Sequence, residues 1–335
     1  MKITTTLILA AVLFLAVLVG CADTAKTAEQ ESTQQQNPAE IIETKETLAD
    51  TEESTEPLLL ESPVSDFKYE FILNKKYVLI NQYIGESPNV VIPSQIEGCP
   101  VTSLRGFDID GFIQGVFQDT DIETVVIPKS IMLIGNRAFK NCTALTSVTI
   151  ERGSDLETIS IEAFQNCSLL KDINLENAEK LKNIEAQAFY NCTSIEKIKL
   201  PSNLETMGRE AFVNCSSLKS INIPIKLNLM NIDGFRFYHV PALEEIVFDE
   251  GRESIQGYVF FGITSTVNII IPKSVTSINT PTFSSIGAMN LYFSGDCPQL
   301  LGETQFAGTV TIYYDPQTSG WDTTPLKDVH TLIPT

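Results

Sequence analysis

A phenylalanine returns every 23 or 25 residues through most of this chain: Phe139, Phe164, Phe189, Phe212, Phe237, Phe260, Phe283 and Phe306. A fixed period in the range of roughly 20–29 residues means one supersecondary unit stacked on copies of itself. Such a unit cannot bury its apolar face alone, so stacking builds one long, thin core. Added length then adds repeats, not domains.

Each copy carries the same short pattern. Two apolar residues separated by one polar residue mark a half-buried strand. These pairs are Val125/Ile127, Val148/Ile150, Ile173/Leu175, Ile198/Leu200, Ile221/Ile223, Ile246/Phe248 and Ile269/Ile271. Pro128, Pro201, Pro224 and Pro272 close four of them, because proline cannot donate to a ladder. A second extended piece follows at Ile134, Ile159, Ile184, Met207, Ile232, Ile255 and Ile278. The Ala-Phe step after it suits one turn of α- or 3-10 helix, with the phenylalanine filling the column.

Cys142, Cys167, Cys192 and Cys215 each stand three residues after a repeat phenylalanine, and Val240, Ile263 and Ile286 hold that position later. Replacement by plain aliphatics points to buried free thiols, not disulfides or metal ligands. No Cys-x-x-Cys pair exists, and only His239 and His330 supply imidazole, so zinc has no support. Asn141, Asn166, Asn191 and Asn214 precede those cysteines and form N-x-S/T sequons. Their period is that of the fold, so they read as turn residues bonding the backbone, not as glycosylation sites.

The start of the chain has a different character. Leu7 to Gly20 is an apolar run of 14 residues behind Lys2. It is shorter than the ~20 residues a membrane span needs and fits the core of a signal peptide. Leu18-Val19-Gly20-Cys21 then resembles the lipobox of bacterial lipoproteins, in which the cysteine is diacylated and becomes residue one. An ordinary secretory signal with an incidental cysteine is the alternative. Ala22 to Ser62 holds 11 acids against Lys26 and Lys45 and no aromatic residue, which reads as a disordered tether. The whole chain carries a net charge of −19. Diffuse acidity disfavours nucleic acid and anionic lipid, which select clustered lysine and arginine.

Ile127-Pro128, Ile134-Gly135, Ala138-Phe139, Asn141-Cys142 and Leu145 together resemble the BspA-type leucine-rich repeats of bacterial surface proteins. The resemblance runs from about Tyr69 to the C-terminus. Asn89–Leu104 is similar to that family's first repeat, and Val310–Trp321 to its closing cap. It implies an α/β leucine-rich-repeat solenoid: a right-handed superhelix, rich in strand, with short helical or 3-10 turns. The expected layout is a signal peptide over 1–20 and a lipidated Cys21 with its tether over 21–62. An N-terminal hairpin cap and opening strand then fill 63–100, repeats 101–312 and a C-terminal cap 313–335. Arg105 to Gly115 interrupts the first copy.

No catalytic motif, phosphate loop or dinucleotide fingerprint is present. Asp108-Ile109-Asp110-Gly111 lacks the later ligands of a calcium loop and reads as a turn. No enzyme, cofactor or metal site is therefore expected, and Trp321 reads as a cap anchor. The outward strand positions are the candidate partner face: Thr149, Asn174, Lys197, Lys199, Asn222, Glu245, Val247 and Ile270. The column turns apolar toward Val247 and Ile270. The resemblance implies a monomeric, surface-exposed adhesin whose partner is an extracellular protein or glycoprotein, touching the membrane only through its lipid. A cell-envelope scaffold binding a bacterial protein or cell-wall glycan is the alternative.

Overall fold

The computed structural model describes residues 60–109, 111–229, 237–256, 261–283, 285–302, 306, 308–328 and 330–335. The chain divides into two units, Met1–Glu56 and Pro57–Thr335, and every described residue belongs to the second. Cys21, most of the acidic tether, Phe260 and Ile232 lie outside the described residues.

The second unit is a solenoid of parallel strands. A front sheet takes the strand that opens each coil: Thr124–Ile127, Ser147–Ile150, Ser220–Ile223 and Glu245–Phe248, among others. Their burial alternates strictly, with Val125, Ile127, Val148 and Ile150 inward. Each neighbour pairs in parallel and in register, so Val126 lies beside Thr149, and Asn222 beside Val247. Pro128, Pro224 and Pro272 close their strands as expected, whereas the strand before Pro201 already ends at Ile198; all four proline carbonyls accept the N–H three residues on, from Ile131, Leu204, Leu227 and Val275. The second extended piece forms another parallel sheet through Leu133–Ile134, Thr158–Ile159, Asn183–Ile184 and Thr206–Met207.

The third side is not helical in the regular copies. Alternate N–H groups there reach the next coil: Arg137 to Ile161, Phe139 to Ala163 and Asn141 to Gln165. The intervening ones close tight turns, Ala138 to Gly135 and Lys140 to Arg137. A helix would need all of these groups for its own i→i−4 bonds. Left-handed residues enforce the zigzag: Arg137 and Asn141 have φ of 58° and 60°, and Glu162 and Asn166 have 57° and 63°. Among the described residues, helical turns are 3-10 only, as at Leu175–Asn177 and Thr280–Phe283.

Inside these three walls the phenylalanines stack. Phe117, Phe139, Phe164, Phe189 and Phe212 lie 4.9–5.2 Å apart, ring to ring, and within 7° of parallel. Phe237 continues the stack at 5.8 Å. Tyr83 caps it at the N-terminal end, 5.2 Å from Phe117. Each of these rings therefore packs on its own copies near the strand spacing, whereas Phe283 and Phe306 meet edge-on at 5.9 Å and 68°.

The periodic cysteines are fully buried and free. Each thiol donates to the carbonyl of the phenylalanine one coil back: Cys142 to Phe117, Cys167 to Phe139, Cys192 to Phe164 and Cys215 to Phe189, at 2.9–3.2 Å. Burial pushes the Cys142 and Cys215 thiols up to about 12, so they remain protonated donors and poor nucleophiles.

The asparagines do something other than expected. Their side chains bond other side chains rather than the backbone, and Asn214 stands outside the ladder, donating to Tyr190 Oη at 3.3 Å. Asn166 Nδ2 donates to Asn141 Oδ1 at 2.8 Å, Asn191 to Asn166 at 3.1 Å, and Asn141 to Asp119 at 2.7 Å. The left-handed backbone aims each amide along the solenoid axis, where the nearest polar group is its own copy. Asn166→Ala should lose the ladder contacts and strain the backbone, for a loss of roughly 2 kcal/mol. Asn166→Gly should recover about 1 kcal/mol of that by relieving the φ strain. Urea denaturation that ranks alanine above glycine would contradict this account.

The two ends depart from the regular repeat. Phe67–Ile72 and Tyr77–Tyr83 form an antiparallel hairpin whose second strand pairs in parallel with Cys99–Leu104. Arg105–Gly115 projects as a smaller hairpin, Phe107–Ile109 with Phe112–Gln114. Its turn is held by Gly111 N–H donating to Asp108 Oδ1 at 2.8 Å. Gly115 is obligatory at its base, since a Cβ there would lie 1.8 Å from the Arg137 carbonyl. At the other end Trp321 is only 3% exposed, against Phe293 and Tyr314. Its indole donates to Thr318 Oγ1 at 3.0 Å, as a cap anchor should.

His330 ties the last coil to the one before it by accepting the Phe306 N–H on Nε2 at 3.1 Å. Protonation removes that acceptor, and burial holds the imidazole pKa below its ordinary value. A lowered folded pKa means the unfolded chain binds the proton first. The contribution is then complete above the ordinary histidine value of about 6.5 and is lost as pH falls through the folded value. Urea unfolding followed by Trp321 fluorescence should show this drop relative to His330→Gln. Parallel profiles for the two proteins would refute it.

Candidate functional site

The front sheet is not continuous. One stretch runs from Asn89–Val91 to Asp172–Ile173, and a second from Lys197–Ile198 to Thr331–Pro334. Among the described residues no ladder joins Asp172–Ile173 to Lys197–Ile198. Two asparagines account for the break. Asn174 turns its amide back onto the preceding coil, accepting Ile150 N–H at 2.7 Å and donating to Ile150 O at 3.0 Å. Its own strand stops at Ile173 and passes into the 3-10 turn Leu175–Asn177. Asn222 does the same to Leu200, at 2.7 and 3.0 Å. Side-chain amides thus stand in for strand pairing on both sides of the gap.

Over the break lies a groove of about 540 Å³. Ile173, Ile198 and Ile221 form its floor, and six of the eight residues assigned to the partner face line it: Asn174, Lys197, Lys199, Asn222, Glu245 and Val247. Thr149 is exposed but sits one coil outside. Ile270 pairs with Val247 and lies one coil beyond the other end. Lys197, Lys199 and Glu245 are exposed, whereas Asn174 and Asn222 are half-buried with amides engaged on the main chain. Contact with a partner therefore falls to the charged residues and to Val247.

The groove's charges are only partly ordered. Lys171, Lys197 and Lys199 line one end together with Asp172 and Glu176, and Glu245 and Asp249 line the other. Among the described residues none of the three lysines makes an ion pair, while neighbouring Lys219 is bonded to Glu196 at 2.7 Å. That bond holds the Glu196 carboxyl below its usual range. Asp249 is engaged by Asn222 at 3.1 Å. Ser220 separates Lys197 from Glu245 in the register, so the two charges stand two strand spacings apart, about 9–10 Å, too far to pair.

The sequence profile of the BspA type leucine rich repeat region matches residues 112–236 and 230–312, in six copies. The chain belongs to the BspA-type leucine-rich repeat family. Solved structures of leucine-rich repeat proteins are also similar. One from T. pallidum is 21% identical, with 63% of this chain and 86% of that one covered and a TM-score of 0.41. One from Bacteroides ovatus is 19% identical over 76% and 71%, with a TM-score of 0.46. A leucine rich cell surface protein from Faecalibacterium prausnitzii is 20% identical over 76% and 89%, with a TM-score of 0.42. No curated protein matches the chain.

BspA-type repeats, like other solenoids, present extended surfaces suited to protein interaction. In this member the exposed column continues past the groove. Ile270 lies beside Tyr292, Tyr292 beside Tyr313, and Tyr313 beside Ile333. Tyr313 was missed from the sequence because Val310–Trp321 reads as a closing cap. The signal was present: Leu291/Phe293 and Ile312/Tyr314 bracket the two tyrosines with the same inward alternation.

Proposed function

We propose that this chain is an exported lipoprotein, acylated at Cys21 and held at a bacterial cell surface, whose repeats bind an extracellular protein or glycoprotein. It binds as a monomer and catalyses no reaction. The observation that carries this reading is the groove at the sheet break, where three lysines that make no ion pair among the described residues stand with Asp172 and Glu176 over an apolar floor. The sequence Leu18-Val19-Gly20-Cys21 supports the anchor, and the description of the Faecalibacterium prausnitzii relative as a cell surface protein agrees with the location. The acids of the chain's first part would keep the solenoid off an anionic membrane by like-charge repulsion.

The anchor is tested by metabolic labelling with palmitate. Label should enter the wild-type chain and be lost in Cys21→Ser, and equal labelling would remove the anchor from this reading. Binding is tested with intact cells on immobilised matrix and serum glycoproteins, compared with a deletion strain. Attachment should fall on deletion and be competed by the purified chain. Equal attachment by the two strains would sink the adhesive role.

A further inference from the structure

The front sheet beyond the break carries a registered stripe: Val247, Ile270, Tyr292, Tyr313 and Ile333, one residue per coil. The first four are half-buried and Ile333 is 37% exposed. A polar column runs beside it, through Glu245, Asn268, Asn290, Thr311 and Thr331. A partly exposed apolar stripe repeated over five coils marks a candidate contact surface. Its upstream end, Val247, lies in the groove beside Glu245 and Asp249, two coils from Lys197 and Lys199, which make no ion pair among the described residues.

We propose that this stripe and the lysine end of the groove form one binding track for an extended protein segment, with acidic residues at one end and an apolar run after them. The inference rests on the binding role proposed above and names the chemistry of its partner. Charge complementarity fixes one end, because Lys171, Lys197 and Lys199 leave a cationic surplus there over Asp172 and Glu176, and an anionic group answers that surplus. The net charge of −19 does not oppose this at contact, since screening at physiological salt confines each charge to about 8 Å. From the Lys199 coil to the Tyr313 coil is five strand spacings, about 24 Å, the length of roughly seven extended residues.

The geometry favours a polypeptide over a glycan. Sugars stack on open ring faces, and here Tyr292 and Tyr313 stack on each other at 4.5 Å and 6°. Their remaining faces turn toward the Ile270 and Ile333 coils. What they offer outward is ring edges and hydroxyls, and neither hydroxyl makes a hydrogen bond among the described residues. Edges and hydroxyls suit apolar side chains alternating with peptide carbonyls.

The test is fluorescence anisotropy of the intact chain with labelled peptides of about ten residues. One peptide has two aspartates followed by a valine- and proline-rich run. A second has lysines for the aspartates, a third replaces the apolar run by serine and glycine, and a sialylated oligosaccharide is the fourth probe. The first should bind best, by about tenfold or more over each of the others. Lys197→Glu with Lys199→Glu should reverse the preference toward the lysine peptide. Tyr292→Ser with Tyr313→Ser should weaken the first peptide about tenfold at any salt concentration. If the tyrosine variants do not fold, the reversal decides alone, since those lysines are exposed. Equal binding of the first two peptides, no reversal, or tighter binding of the oligosaccharide overturns the inference. Cell attachment that depends on the chain while the peptides fail would leave the adhesive role standing and remove this track.

Discussion

Phe189→Ala is expected to destabilise the solenoid by about 3–5 kcal/mol, the range for truncating a buried aromatic ring. Phe189 is fully buried and sits between Phe164 at 5.1 Å and Phe212 at 5.2 Å. Removing it breaks two stacking contacts at once. The walls cannot close on the void. Coil spacing here is set by the paired strands Asn183–Ile184 and Thr206–Met207 and by the turn bonds Phe189 to Ala211 and Asn191 to Val213. A site that cannot collapse keeps its cavity and its cost. Neighbouring coils depend on each other for burial, so the loss should spread along the stack. Urea denaturation with an unchanged midpoint would contradict the central position of this ring. Phe189→Leu, which refills much of the space, should cost well under half as much.

Arg252→Met is expected to cost roughly 3 kcal/mol, although methionine keeps much of the apolar stem. Arg252 is 9% exposed, and its Nη2 donates to the carbonyls of Pro224, Ile225 and Leu227. Those carbonyls belong to the turn closing the previous coil. Hydrogen bonds from a charged donor contribute about 1.5–3 kcal/mol each, and a carbonyl left buried without a donor costs more than the bond was worth. Burial holds the guanidinium pKa below its ordinary value, partly offset by Asp249, yet arginine stays charged at any physiological pH. The comparison is thermal unfolding of Arg252→Met against Lys226→Met, a change at an exposed neighbour expected to be near neutral. Equal midpoints for the two variants would show that the carbonyl cluster does not depend on the arginine.

Much of the fold was legible in the residues. The phenylalanine period, the alternating strand pairs and the closing prolines each report a local rule, and local rules survive translation into structure. Phe117 and Tyr83 escaped notice because the insertion Arg105–Gly115 and a missing alanine hide their repeat. The cysteines were read correctly as buried packing residues, but not as donors to the phenylalanine carbonyls. Those bonds join residues 25–28 positions apart, a separation no local pattern encodes. The same holds for the asparagine ladder, where the turn position was legible and the partner was not. Nor did Arg137, Glu162, Gln187 and Glu210 announce their left-handed backbone, since none is glycine. Their side chains bond along the axis, as Arg137 does to Glu162 and Gln187 to Glu210.

The candidate face divides in the same way. Alternation placed Lys197, Lys199, Glu245 and Val247 outward, and the structure gathers them at one groove. Asn174 and Asn222 occupy outward positions too, but their amides turn to the main chain of the preceding coil. By itself, then, the sequence determined a stacked column with an aromatic spine, because period and alternation are properties of one chain read along its length. Only the tertiary structure decided where the front sheet breaks, which charges remain unpaired and how far the apolar stripe extends. Each of those depends on which groups from successive coils meet across a strand spacing, and that is settled by register.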